Sequence, residues 1–233
     1  MIKLNSRPLV DIVMATKNSA RFLPQAIESI GNQTCLSHRL IVVDGGSVDQ
    51  SLDIVGRHPG ALILHQQGSG FLNAWNEGIA AGCAPWVAFL DSDDIWSPSK
   101  LQLQLKVVEC IPDVEFVFGR VAFFLDPGAQ PNGFHKGVLQ RTHLVPMMGA
   151  ILVRRTALER IGPFAEYLTI SGDLEWIANL RDRCKASVTD EVLLYKRIHA
   201  SSLGQAAAEN VFTQELMTIL WRRVAASREG RSG

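Results

Sequence analysis

Through the first 110 residues, short apolar runs alternate with segments whose apolar positions recur at helical spacing. Residues 9–14 (LVDIVM) are rich in β-branched side chains and read as a strand. In residues 20–31 the apolar positions Phe22, Leu23, Ala26, Ile27 and Ile30 follow helical periodicity, and Gly31 closes the segment. Pro24 fits only the first turn of that helix, where its missing N–H leaves nothing unpaired. The same reasoning predicts strands at 39–43, 61–65 and 86–90, and helices at 48–57, 71–82 and 98–110, the last opened by Pro98. Fully apolar strands alternating with amphipathic helices imply an α/β fold whose mostly parallel sheet is covered on both faces. Ligands of such sheets gather at the carboxyl ends of the strands. Three polar turns fall there: Thr16-Lys17-Asn18, Asp44-Gly45-Gly46-Ser47 and Asp91-Ser92-Asp93-Asp94.

Beyond residue 110 the pattern is mixed. A strand is expected at 114–125, a turn-rich loop at 127–133, an apolar segment at 145–153, helices at 155–161 and 172–182, and a strand at 191–198. A terminal helix is expected over 205–225, with Phe212, Leu216, Ile219, Leu220 and Val224 on one face. It is followed closely by Trp221-Arg222-Arg223, Arg228 and Arg231. Such a helix suits packing on the domain, an anionic membrane surface, or a second copy of the chain in a homodimer. The organisation read from this is one domain with a first half (1–110), a second half (111–204) and a C-terminal helix and tail (205–233).

Composition narrows the function. Of 233 residues, 47% are hydrophobic and 20% charged, which is ordinary for a globular chain and excludes wholesale disorder. Lysine plus arginine equals aspartate plus glutamate, at 23 each, so bulk charge does not favour nucleic acid. The four cysteines (35, 83, 110 and 184) form no CxxC pair and read as reduced thiols of a cytoplasmic protein. No leader-like segment and no run of about 18 apolar residues is expected to take the chain into or through a membrane.

The acidic turn carries the sharpest chemistry. Asp91, Asp93 and Asp94 put three carboxylates within four residues, and their mutual repulsion calls for a cation. Mg²⁺ and Mn²⁺ prefer carboxylate, water and phosphate oxygens, so such an ion can bridge a diphosphate. The competing reading is a helix cap with two solvated neighbours.

Context favours the first reading. The chain resembles family 2 glycosyltransferases of the GT-A fold in Ala15-Thr16-Lys17-Asn18, Gln33-Thr34, Val42 to Asp49, Asn76-Glu77-Gly78 and Phe89 to Pro98. Looser matches follow at Arg154-Arg155, Gly162-Pro163-Phe164, Asp173 and Arg197-Ile198-His199, so the likeness runs from about residue 9 to 203. The chain departs from the family pattern at Lys17, Gly45, Trp75, Ala165 and Gly172.

The resemblance implies a Rossmann-like, mostly parallel sheet flanked by helices, with a nucleotide-sugar-binding first half and a mixed acceptor-side second half. It implies a metal-dependent, inverting transferase that moves a sugar from a nucleoside-diphosphate sugar, expected to be a UDP-sugar. The acceptor is a hydroxyl of a saccharide, a lipid-linked saccharide or a peptide, with contact at the inner membrane face as one option. By resemblance Asp93 is the direct ligand of Mn²⁺ or Mg²⁺. Asp91 binds the ion through water or holds the donor ribose, and Asp94 is a candidate cap for the next helix. His199 joins the metal shell or is structural. Asp173 is the candidate catalytic base, with a helix N-cap as its other reading and Glu175 as the fallback base. Asp44 faces the donor base or ribose, or forms its turn. Thr16 and Asn18 contact the nucleotide or cap the following helix, and Asn76 is assigned to the substrate side.

Three other functions compete with this reading. Gly68-Ser69-Gly70 with Asp91 about twenty residues on approaches a dinucleotide fingerprint, but Asn73 stands at the third glycine. A nucleotidyltransferase would want a glycine in the 15–18 turn. A catalytically silent nucleotide-sugar-binding module would keep the fold without turnover.

Overall fold

The computed structural model describes residues 7–129, 136–168, 171–200 and 214–220. Strand β1 (Val10–Thr16) pairs in parallel with β2 (His38–Asp44) on one side and β4 (Trp86–Phe89) on the other. Strand β3 (Leu62–His65) extends the parallel sheet beyond β2. Parallel neighbours need crossover connections. Helices α1 (Leu23–Gly31), α2 (Ser51–Gly56) and α3 (Phe71–Ala81) provide them. Pro24 sits in the first turn of α1, as its chemistry requires.

The sheet continues past residue 110 in the order β3-β2-β1-β4-β8-β6-β9-β5. Here β5 is Ile95–Trp96, β6 Phe116–Leu125, β8 Leu152–Arg154 and β9 Ala186–Ile198. Strand β8 runs antiparallel to both β4 and β6, β5 antiparallel to β9, and β6 parallel to β9. Strand β7 (Thr142–Leu144) lies off this path against β6. Helices α4 (Lys100–Cys110), α5 (Lys136–Leu139), α6 (Arg155–Ile161) and α7 (Gly172–Arg183) complete the named elements, with α8 over 214–220.

Alternate residues of β1 feed two cores. Val10, Ile12 and Met14 pack with Leu23, Ala26, Ile27 and Ile30 of α1 and Leu101 of α4. Val13 joins Leu72 and Trp75 of α3, Phe89, and Trp176, Ile177 and Leu180 of α7. Burial on both faces explains why the strand has no polar face. Trp75, at a departure from the family pattern, packs its ring 5.5 Å from Phe89 and 5.3 Å from Phe164. Gly78 lets α3 approach β1: a Cβ there would fall 2.4 Å from Val13 Cγ1.

Two polar networks fasten the second half. At the amino end of β1, buried Asp11 pairs with Arg39 and Arg155, each at 2.8 Å, and accepts the Ala84 N–H. Side chains of β5 and α4 capture three successive carbonyls. Trp96 Nε1 donates to Gly149, Gln104 Nε2 to Ala150, and Lys100 Nζ to Ile151. Lys100 is fully buried, which pushes its pKa well below the usual lysine range, and its ammonium lies 4.1 Å from the centre of the Trp96 ring.

Several boundaries differ from the sequence reading. Helix α1 starts at Leu23 rather than 20, α2 spans 51–56 rather than 48–57, and α4 starts at Lys100 rather than Pro98. Strands β5 and β7 and helix α5 were not anticipated. Strand β9 starts five residues before 191, where its exposed polar positions are held by the parallel partner β6. Of the expected 205–225 helix, 214–220 is described and buries Ile219 in the second core. Phe212, Trp221, Arg222, Arg223, Val224, Arg228 and Arg231 lie outside the described residues. No helix among the described residues is long and apolar enough to cross a membrane.

Replacing Gly78 by alanine should force α3 away from β1. Overpacking of this kind costs about 1–3 kcal/mol, and a denaturant midpoint unchanged from wild type would contradict the contact.

Candidate active site

The carboxyl ends of β1, β2 and β4 bring the three polar turns together. Thr16 stands in register with Asp44, and the Gly45 N–H donates to the Thr16 carbonyl at 2.8 Å. The Leu90 N–H reaches the Val13 carbonyl, and Ser92 Oγ lies 2.8 Å from Ser19 Oγ, so the acidic turn abuts the turn after β1.

Asp91, Asp93 and Asp94 each offer a carboxylate oxygen within 4.8 Å of the others. They differ in surroundings. Asp94 is fully buried, and both its oxygens are engaged: Oδ2 by Lys196 Nζ at 2.8 Å and Oδ1 by the Arg197 N–H at 2.9 Å. Burial raises its carboxyl pKa to about 7 against the pull of Lys196, with Asp93 and Asp91 adding to the rise. It does not cap α4, whose N-cap residue is Ser99. Asp91 and Asp93 are partly open, with side chains 37% and 24% exposed. Asp91 Oδ2 accepts from Lys196 Nζ at 2.9 Å, and Asp93 Oδ2 lies 2.8 Å from His199 Nε2.

The side chains that hold the turn come from the end of β9 and the residue after it. Arg197 is buried between the rings of Phe22 and Phe124, at 5.0 and 4.7 Å from their centres. It donates to the Asp93 carbonyl at 2.9 Å, to Asp126 at 3.0 Å, and to Gln25. His199 packs on Phe22, ring centres 4.3 Å apart. The strand therefore fixes both the backbone and the side chain of Asp93.

Asp173 lies in the first turn of α7, one residue inside the N-terminus. Ser171, not Asp173, holds the N-cap position, so the N-cap reading of Asp173 is corrected. Asp173 Oδ1 accepts the Leu174 N–H at 2.8 Å. Burial lifts its pKa to about 6, and the charge of Asp91 adds to the rise while Lys196 opposes it. Asp173 thus shares an electrostatic neighbourhood with the acidic turn. Glu175 instead accepts the Tyr167 hydroxyl at 3.2 Å.

The remaining candidates have local partners. Asp44 accepts the N–H groups of Gly46 and Ser47, forming the turn expected of an aspartate before two glycines. Asn18, at φ 51°, accepts the Val48 N–H and gives its own to Ser47 Oγ, clamping two loops. Asn76 exchanges hydrogen bonds with the Phe164 backbone and donates to Glu166, which occupies its amide. Thr16 Oγ1 is buried at the site edge without a hydrogen-bond partner among the described residues. Sequence reasoning missed Lys196. The available signal was the demand of three carboxylates for positive charge, set beside a lysine just before the Arg-x-His segment.

The described residues form a nine-stranded, mixed α/β sheet with an acidic turn at the end of its fourth strand, and the fold is that of GT-A glycosyltransferases. Residues 11–162 match the family described as Glycosyl transferase family 2, and the chain belongs to that family. An uncharacterized glycosyltransferase of Nostoc sp. is 35% identical over 43% of this chain and 33% of its own length. A PGL/p-HBAD biosynthesis glycosyltransferase of Mycobacterium tuberculosis is 37% identical over 37% of this chain and 36% of its own length. The chain thus matches about a third of the length of those two relatives. Among solved structures, S. aureus TarS 1-349 in complex with UDP-GlcNAc superposes with a TM-score of 0.68 at 17% identity, covering 85% of this chain and 61% of that one. A mannosyltransferase from Pyrobaculum calidifontis in complex with GDP-Man and Mn²⁺ gives a TM-score of 0.65 at 19% identity, covering 95% and 65%.

Replacing Arg197 by alanine should destabilise the protein by about 3 kcal/mol, because buried Asp126 loses its buried partner and keeps only the exposed Arg21. Chemical unfolding of R197A beside R197K measures it; a loss below about 1 kcal/mol would show Asp126 is not dependent on this partner.

Proposed function

We propose that this chain transfers a sugar from a nucleoside-diphosphate sugar, a UDP-sugar, to a hydroxyl of a saccharide, a lipid-linked saccharide or a peptide, with inversion at the anomeric carbon. The observation that carries the reading is the cluster of Asp91, Asp93 and His199 together with Asp173, a half-buried carboxylate whose pKa burial pushes up to about 6 and which feels the charge of Asp91. Two structures of the same fold hold UDP-GlcNAc and GDP-Man, which supports the donor class.

The donor set suits Mn²⁺ or Mg²⁺. Asp91 and Asp93 each keep one oxygen without a partner among the described residues, and His199 adds an imidazole nitrogen. Asp94 is excluded as a ligand because Lys196 and the Arg197 N–H take both its oxygens. The ion, when bound, supplies positive charge for the departing diphosphate. Thr16, whose buried hydroxyl has no partner among the described residues, offers the nucleotide a hydrogen bond.

Asp173 takes the proton of the acceptor hydroxyl. The oxygen attacks the anomeric carbon from the face opposite the diphosphate, and the bond to the leaving phosphate oxygen breaks with its electron pair going to the diphosphate. An α-linked donor gives a β-linked product. With a pKa of about 6, Asp173 is mostly ionised at pH 7 and therefore a competent base.

A binding module without turnover would predict donor binding and no transfer to any acceptor. A dinucleotide site at the glycine turn is disfavoured. The N–H groups of Gln67 and Gly68, which a pyrophosphate would need, already donate to Glu77 at 3.0 Å.

Three outcomes test the reading. The base must be ionised, so kcat/KM should fall about tenfold per pH unit below about pH 6. D173N should cut transfer by at least about a hundredfold and leave donor binding intact. In calorimetry with UDP, GDP, CDP and dTDP, one diphosphate should bind only with Mn²⁺ or Mg²⁺, and D93A should abolish that binding. Tight metal-free binding indifferent to D93A would overturn the metal assignment.

A further inference from the structure

Lys196 reaches the acidic turn from β9, where its backbone is set by Phe123 of β6, and Tyr195 beside it by Ile95 of β5. Its ammonium bridges Asp91 and Asp94 at 2.9 and 2.8 Å. These carboxylates hold its pKa well above the usual lysine range despite burial, so the group stays charged. Asp94 is buried and fully committed, whereas Asp91 is partly open. Asp91 is therefore claimed twice: by an ammonium already in place, and by the divalent ion of the proposed reaction. Two cations cannot share one carboxylate without mutual repulsion in a partly desolvated site.

We propose that Lys196 is a resident competitor for Asp91 that makes metal and donor bind together rather than singly. Without nucleotide, the ammonium occupies Asp91 and weakens the hold of the turn on a free divalent ion. A nucleoside diphosphate brings phosphate oxygens that accept the ammonium, and Asp91 is released to the ion. The exchange moves hydrogen bonds only. Lys196 thereby favours donors whose leaving group carries enough negative charge to draw it away, which selects a diphosphate over a monophosphate. The inference rests on the metal reading above.

The test is titration of Mn²⁺, followed by electron paramagnetic resonance, into wild type, K196M, K196Q and K196R, each alone and with UDP, GDP or UMP. In wild type, the diphosphate that binds should tighten Mn²⁺ binding about tenfold or more, a typical coupling between sites, and UMP should not. Both neutral variants should bind Mn²⁺ alone about tenfold tighter than wild type and lose most of the coupling. K196R, which keeps the charge, should behave like wild type. K196Q retains an N–H donor for Asp94 and stands in should K196M not fold, and circular dichroism checks each variant. Neutral variants with unchanged or weaker Mn²⁺ affinity and intact coupling would overturn the role of Lys196 while leaving the metal site standing. Absence of Mn²⁺ binding in every protein, with and without nucleotide, would overturn the metal reading and this inference with it.

Discussion

Three carboxylates in one tight turn are tenable because the end of β9 delivers the Lys196 ammonium to two of them. Lys196, Arg197 and His199 each meet a different part of the turn: two carboxylate oxygens, the backbone, and the Asp93 side chain. That balance dictates much of the architecture. Strand β9 must run parallel to β6 and end beside the carboxyl edge of the first four strands, and β5 must turn back to pair with it. A chain that failed to place β9 there would leave Asp94 buried without its cation, a penalty of several kcal/mol for an unpaired buried charge.

The small residues around the site make sense in the same frame. Gly78 and Gly172 both stand where a Cβ would overlap a neighbouring side chain, Val13 in one case and Leu72 in the other. Gly78 brings α3 close to the sheet and Gly172 brings α7 close to α3, and together they set where Asn76 and Asp173 emerge. Asn76 then uses its amide to hold the 164–166 segment, so a residue of one half of the chain locates the other. The aromatic cluster of Trp75, Phe89, Phe164 and Trp176 fills the space between.

The parallel half of the fold was legible because β1, β2 and β4 are buried on both faces, so their strands are apolar but for residues such as Asp11 and their turns are polar. Strand β5 was not legible: two residues carry no period, and only the partner β9 makes Ile95 and Trp96 a strand. The polar beginning of β9 was missed for the same reason. At the site, sequence order located the acidic turn, Asp173 and His199, since local motifs mark them. It set Asp94 apart only as a candidate helix cap, which Ser99 occupies instead, because what separates the three aspartates is burial and the reach of Lys196, a residue 102 positions away. A long-range charge pair leaves no periodic trace.

That separation also orders events in time. Asp93 and His199 are 106 positions apart. During synthesis the acidic turn leaves the ribosome long before β9 exists, and closing so long a loop is entropically slow. The nascent first half therefore carries an uncompensated, solvated acidic turn beside strands already able to pair. Only the arrival of the last long strand lets Asp94 be buried, which makes completion of the site and completion of the sheet the same step.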